Sequence, residues 1–267
     1  MDTTTIPLLP TVGATVRHAE RLGLRFGDKG THTSRTMMLE ELSALLAATP
    51  PSYTRKDYAA AIIEENVLAK STLSTRKLSN QRLGELYGLD VTVGVFRVLR
   101  RLWNAEQPSR PLLSLLCAVA RDPLLAATVP AVISLADGQD FARAQARSAL
   151  RDLIGTRLND SVLDKVLRNA ASSWAQSGHL EGRTFKKRQR VVATARSMAF
   201  ALYLGRAVGF RSADVFSSGW VAMLDVSPAE AKTLSLEAKR LGLIDISISA
   251  DIVDLSLDRL DPIATRI

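Results

Sequence analysis

The sequence predicts a mainly all-α, multi-helix chain with a helix-turn-helix in its first third and a winged-helix-like β-hairpin at its C-terminal end. Three observations carry that prediction. Apolar residues recur at three- and four-residue steps along most of the 267 residues, the spacing of one helix face. Pro and Gly interrupt these runs at short intervals, so the helices are short. Only after Gly242 does the period fall to two, through Ile244, Ile246 and Ile248 and then Ile252, Val253, Leu255 and Leu257, as in paired strands.

The chain opens as an arm spaced by Thr, Pro and Gly. From about Arg35, Met38, Leu39, Leu42, Leu45 and Leu46 share a helix face until Pro50 and Pro51 stop it. Ser52 or Thr54 caps the next helix, which runs through Tyr58, Ala61, Ile62 and Leu68 to about Ala69. After the polar stretch KSTLST, Arg76 to Tyr87 form a second helix ending at Gly88. Two short amphipathic helices around a polar turn make the helix-turn-helix candidate. Further helices are expected at roughly 93–104, 109–121, 123–134 and 140–154, set off by Pro108, Pro111, Pro123 and Gly138. Asn159 caps another, through Val162, Leu163, Val166, Leu167, Ala170 and Trp174 to Gly178. The short basic stretch HLEGRTFKKRQRVV follows, flanked by possible strand residues. A helix near 194–208, a connecting piece over 211–224 and a Ser227-Pro228 helix start lead to Leu241. The alternating runs around Ala250-Asp251 then read as a hairpin, and a helix followed by a hairpin is the end of a winged helix-turn-helix. The elements divide into residues 1–50, an arm and helix; 51–155, a helical domain with the helix-turn-helix; and 156–267, a helical, winged-helix-like domain.

Composition fits a folded globular protein, 46% hydrophobic and 23% charged. The 35 Lys and Arg against 27 Asp and Glu leave a formal charge of +8, which favours polyanionic partners through attraction and counterion release. Cys117 is the only cysteine, so an intramolecular disulfide and a multi-thiolate zinc site are excluded. It sits among Leu112, Leu113, Leu115, Leu116 and Val119 and reads as a small buried residue. His18, His32 and His179 lack ligand spacing, and His179 reads as a structural cap. Glu40-Glu41 and Glu64-Glu65 are adjacent and diverge on a helix, and Trp103, Trp174 and Trp220 read as core. No cofactor, metal or catalytic residue is therefore expected, and no enzyme activity. The opening lacks the order of a secretory signal and no apolar run suffices for a bilayer, so a cytoplasmic protein without a membrane partner is expected.

Three basic segments are the candidate sites. On the Ser74–Tyr87 helix, Arg76, Lys77, Asn80, Gln81 and Arg82 lie largely away from Leu78, Leu83 and Leu86. Such a face enters a major groove, Arg and Asn/Gln reading base edges and Lys touching phosphate, or is an ordinary solvated face. Arg183, Lys186, Lys187, Arg188 and Arg190 crowd around Phe185; cations so close repel one another, so the cluster is either a mobile solvated loop or the seat of a polyanion, and its place after a helix is that of a wing or phosphate clamp. In GDKGTHTSRT, the residues Lys29, Thr31, Ser34 and Arg35 stand just ahead of a helix. They form a phosphate site or simply a capped helix start, and the P-loop pattern is absent.

The runs IIEENVLAKSTLSTRKLSNQRLGELYGL, RPLLSLLCAVARDPLL and LNDSVLDKVLRNAASSWAQSGHL resemble, in order and spacing, the small helical BrxA proteins of BREX phage-defence systems. They cover about a quarter of the chain. The resemblance implies an all-helical protein with helix-turn-helix character that binds double-stranded DNA, works beside a methyltransferase and other defence proteins, and has no catalysis of its own. It places DNA contacts around Arg76, Lys77 and Arg82. The GDKGTHTSRT segment and the C-terminal hairpin region depart from that pattern. Two alternatives stay open: a protein-interaction scaffold within a defence complex, docking through apolar helices such as Leu112 to Leu125, and a transcriptional regulator. RNA binding has less support, because aromatic-rich strand motifs are missing.

Overall fold

Helices begin where a side chain can satisfy the free N–H groups of a first turn. Thr54, Thr72, Asn159, Thr194, Ser218 and Ser227 each accept a hydrogen bond from the backbone N–H three residues on. The computed structural model describes Leu8 and residues 13–103, 107–249 and 252–263; most of the N-terminal arm and the Ala250-Asp251 turn lie outside them. Within these residues the chain is mostly helical, with two small antiparallel hairpins.

The first half holds α1 (Gly13–Arg21), α2 (Leu39–Ala48), α3 (Arg55–Ile63), α4 (Leu73–Tyr87), α5 (Gly94–Trp103) and α6 (Arg110–Arg121). α1 occupies a stretch read from sequence as arm. α3 stops at Ile63 rather than near Ala69, because Asn66 and Ala69 take left-handed φ of 55° and 49°. The connection from α3 to α4 therefore spans residues 64–72, longer than the three or four residues, roughly, of a helix-turn-helix turn. The helix expected at 123–134 is two, α7 (Pro123–Ala126) and α8 (Val129–Ile133). Pro130 offers no N–H to the carbonyl four residues back, and its ring crowds that position. α9 (Arg143–Ile154) and α10 (Asp160–Gln176) follow.

A short hairpin, β1 (Leu180–Glu181) and β2 (Lys187–Arg188), pairs Leu180 with Arg188 and Glu181 with Lys187. Residues 138–141 run along the other edge of β2: Arg188 N–H donates to Gln139, and Phe141 N–H to Lys186, both at 2.8 Å. The C-terminal part comprises α11 (Ala195–Ala207), a 3₁₀ turn at Ser212–Ser217, α12 (Gly219–Ala222), α13 (Pro228–Arg240), and strands β3 (Asp245–Ser249) and β4 (Ile252–Ser256), in register from Asp245–Ser256 to Ser249–Ile252.

The principal apolar core draws on all three of the segments marked off in the sequence, from Leu8 to Leu260. Trp103, Trp174, Trp220 and Cys117 are buried in it. α11 is its axis: Met198 to Leu204 are all buried, and the helix touches α1, α5, α6, α12 and α13. A satellite cluster joins α7 through α10, with Leu124, Leu150, Leu163 and Leu167 at its centre. Two cations of α5, Arg100 buried and Arg97 half-buried, serve as braces. Arg100 donates to the Leu46 and Thr49 carbonyls at the end of α2. Arg97 grips both oxygens of Asp261 at 2.8 and 2.9 Å, and Tyr203 donates to the same carboxylate.

Candidate nucleic-acid interface

The polar face of α4 is largely occupied by its own neighbours. Arg76 donates to the Lys70 and Ile63 carbonyls and closes the turn between α3 and α4. Asn80 Oδ1 accepts from Arg55 at 2.8 Å. Arg82 and Gln81 both reach Glu85, at 2.8 and 2.9 Å. Burial alone would raise the Glu85 carboxyl; hydrogen bonds from Arg82, Gln81 and Thr31 outweigh it and hold the group below its ordinary value. Lys77 and Gln81 are the two exposed members of the predicted set. The arrangement braces the helix pair, and any base reading by Arg76, Asn80 or Arg82 would first have to break it.

The GDKGTHTSRT loop does hold an anion, and the chain supplies it. The Asp122 carboxylate accepts from His32 N–H at 3.0 Å, from His32 Nδ1 at 2.7 Å, and from the N–H groups of Leu124 and Leu125 that open α7. A Cβ at Gly30 would overlap this carboxylate, so the close approach requires glycine there. Thr31 is buried and donates to Glu85, while Ser34 Oγ and Arg35 bond to carbonyls within the loop. Only Lys29 among the four predicted phosphate ligands is exposed. Three of the four are thus engaged within the protein, Thr31 by Glu85 and Ser34 and Arg35 by loop carbonyls, while the buried anion beside them is Asp122. Burial tends to raise the Asp122 carboxyl, but the His32 ring and hydrogen bonds from His32 and Leu125 hold it below its ordinary 3.8.

His32 Nε2 lies 2.8 Å from Ser173 Oγ, which completes an Asp–His–Ser line of the kind used for nucleophilic attack. No spacing in the sequence signalled it. Here all three side chains are at most 1% exposed, and Ser173 Oγ is already taken by Met37 N–H and the Asn169 carbonyl. The line ties the loop to α10 and α7 as a brace. Among the described residues no group of three or more His, Cys, Asp or Glu side chains could hold a metal ion, and no single helix is long and apolar enough to cross a membrane.

The basic cluster at β1–β2 remains. Arg188, predicted to contact DNA, is 2% exposed. Its guanidinium donates to the Val132 and His179 carbonyls and pairs with Asp225, so it fastens the hairpin and cannot meet a phosphate. The other cations of the cluster face outward. Arg183, Lys187 and Arg190 are exposed, Lys186 is half-buried, and Phe185 at the tip is 85% exposed. Lys187 lies 3.5 Å from Asp140 at the rim. Gly182, at φ 109°, lets the tip turn so tightly that a Cβ there would overlap the Phe185 carbonyl. Arg190 donates to the Asp225 carbonyl at 2.8 Å. Because Asp225 stands two residues before the Ser227 cap, the basic hairpin is tied to the start of α13. Neither a model of a known protein family nor a curated protein matches the chain.

His179 is a third tie at this point. The Met223 carbonyl can only accept, so Nε2 donates to it at 2.8 Å, while Nδ1 lies 2.8 Å from Ser177 Oγ, whose one proton it shares with the Trp174 carbonyl. Burial pushes the ring down to about 4, Met223 and Asp225 opposing and Arg188 assisting. The unfolded ring titrates near 6.5, so its contribution to stability is complete above that pH and is lost as the pH falls toward 4. Denaturant melts at about pH 7.5 and 4.5 should differ by an amount on the order of 3 kcal/mol from this group. The difference should shrink in His179→Gln; an equally steep pH dependence in the variant would contradict the assignment.

Proposed function

We propose that this protein is a non-catalytic, double-stranded-DNA-binding component of a phage-defence system of the BREX type. The observation that carries the reading is the hairpin: Arg183 and Lys187 are exposed on a support that Arg188 and residues 138–141 lock in place, with Arg190 exposed just beyond it and tied to the Asp225 carbonyl. Cations fixed in this way can neutralise successive phosphates without ordering a mobile loop first. The net charge of +8 adds long-range attraction of the same sign.

The order α12, turn, α13, β3, β4 supports a winged helix-turn-helix at the C-terminal end. In this reading α13 lies toward the groove with exposed Lys232 and Arg240, and the β1–β2 hairpin beside its first turn grips the flanking backbone. The three runs that resemble BrxA proteins cover α4, α6 and α10, and of the basic segments they include only the α4 face with Arg76, Lys77 and Arg82. The resemblance thus speaks for the scaffold and the defence setting, and the hairpin for the ligand.

Mobility-shift titration of a random-sequence duplex at two salt concentrations tests the proposal. Binding at low salt that falls steeply with added salt is expected. A failure to shift duplex DNA at low salt overturns it.

A further inference from the structure

Phe185 is the one large apolar side chain exposed at the tip of the basic hairpin, and it does not stand alone. With Thr184 and Lys186 it forms one wall of a cleft of about 370 Å³, whose other wall is Asp140, Phe141 and Arg143. Two cations, Arg143 and Lys186, line it from opposite walls, the Lys186 ammonium donating to the Gly182 carbonyl at 2.8 Å. Lys186 titrates below its ordinary value, through partial burial and then through Arg143. Among the described residues no salt bridge joins Arg143 to a carboxylate; Asp140, on the same wall, lies 3.5 Å from Lys187. The floor is stiff, because Phe141 N–H donates to the Lys186 carbonyl across the two walls.

A pair of like charges beside an exposed ring suits a ligand that carries an anion next to a flat aromatic face. A nucleotide unit has both. Its volume is within that of the cleft, whereas a stacked base pair presents only its edges to a hairpin. We propose that this cleft takes one unstacked nucleotide of the bound DNA, its base against the Phe185 ring and its phosphate between Arg143 and Lys186. The inference rests on the DNA-binding reading above and adds a preference to it: DNA containing an unpaired base is favoured over a fully matched duplex, since less stacking must be broken.

The test uses the full chain and three probes: a matched duplex, the same duplex with one bulged base at its centre, and inorganic polyphosphate. The wild type should bind the bulged duplex about tenfold more tightly than the matched one, the factor expected of one base stacked on an aromatic ring. Phe185→Ala should abolish that preference and Phe185→Trp should keep it. Trp103, Trp174 and Trp220 are buried, so the new exposed indole reports alone at long wavelength. Its emission should be quenched by the bulged duplex and not by polyphosphate. An undiminished preference in Phe185→Ala, or unquenched emission at saturation, overturns the inference while leaving duplex binding intact. If the wild type shifts neither duplex, the DNA-binding reading falls and this one with it.

Discussion

Replacing Arg183, Lys186 and Lys187 together by glutamine is expected to weaken duplex binding by about two orders of magnitude at low salt. It should also flatten the plot of log affinity against log salt by about 0.9 for each phosphate contact removed. The two effects share one cause, since counterions released by those contacts stay on the DNA. Arg188 is left out of the set because it is buried and paired with Asp225; its replacement would loosen the hairpin and confuse affinity with folding. The three chosen side chains are exposed or half-buried, so the melting temperature should hold within about 2 °C, as for surface substitutions generally. Anisotropy titrations at four salt concentrations, with a melt alongside, read both quantities. An unchanged salt slope would remove the hairpin from the interface. Lys77→Gln, on the largely occupied face of α4, should by comparison cost little.

Asp122→Asn should produce a large loss of stability. The carboxylate serves His32 twice and caps α7 with its remaining lone pairs. Removing one member of a buried, hydrogen-bonded pair costs about 3–5 kcal/mol, which for a chain of this size lowers the melting temperature by about 10 °C. The pH dependence fixes the sign. The folded carboxyl titrates below 3.8, so its contribution is present above the unfolded value and fades as pH falls through the folded one. Melts of wild type and variant should therefore run parallel above the ordinary carboxyl value of 3.8 and draw together only as the pH falls below it. Parallel curves down to pH 3 would mean that the charge on Asp122 is not what holds the loop.

The helix starts were readable because their caps are local: Thr54, Asn159 and the Ser227-Pro228 pair announce a first turn with residues three positions apart. The C-terminal hairpin was readable for the same reason, its period of two lying in adjacent residues. What escaped depends on distant partners. His32 finds Asp122 and Ser173 at separations of 90 and 141 residues, and no spacing rule reaches that far. The fate of Arg82 and Gln81 could have been read, because Glu85 stands three and four positions on along the same helix. The same is true of Arg188. Once the basic stretch is taken as a strand, Lys187 and Arg188 must point to opposite faces, and one of the two had to turn inward. The ties of Arg76 and Asn80 had no such signal, since they depend on how α3 packs against α4.

The placement of α11 sets the order in which this protein can be made. Five other helices pack against it, and three of them, α1, α5 and α6, leave the ribosome long before residues 195–207 exist. Their apolar faces wait uncovered through that interval, the condition in which partly made chains aggregate. Residues 1–155 produced alone should accordingly collect in the pellet, and production together with 156–267 should return them to the supernatant. The chain is a single assembly finished late in synthesis, and its halves are not pieces that recombination could exchange one at a time.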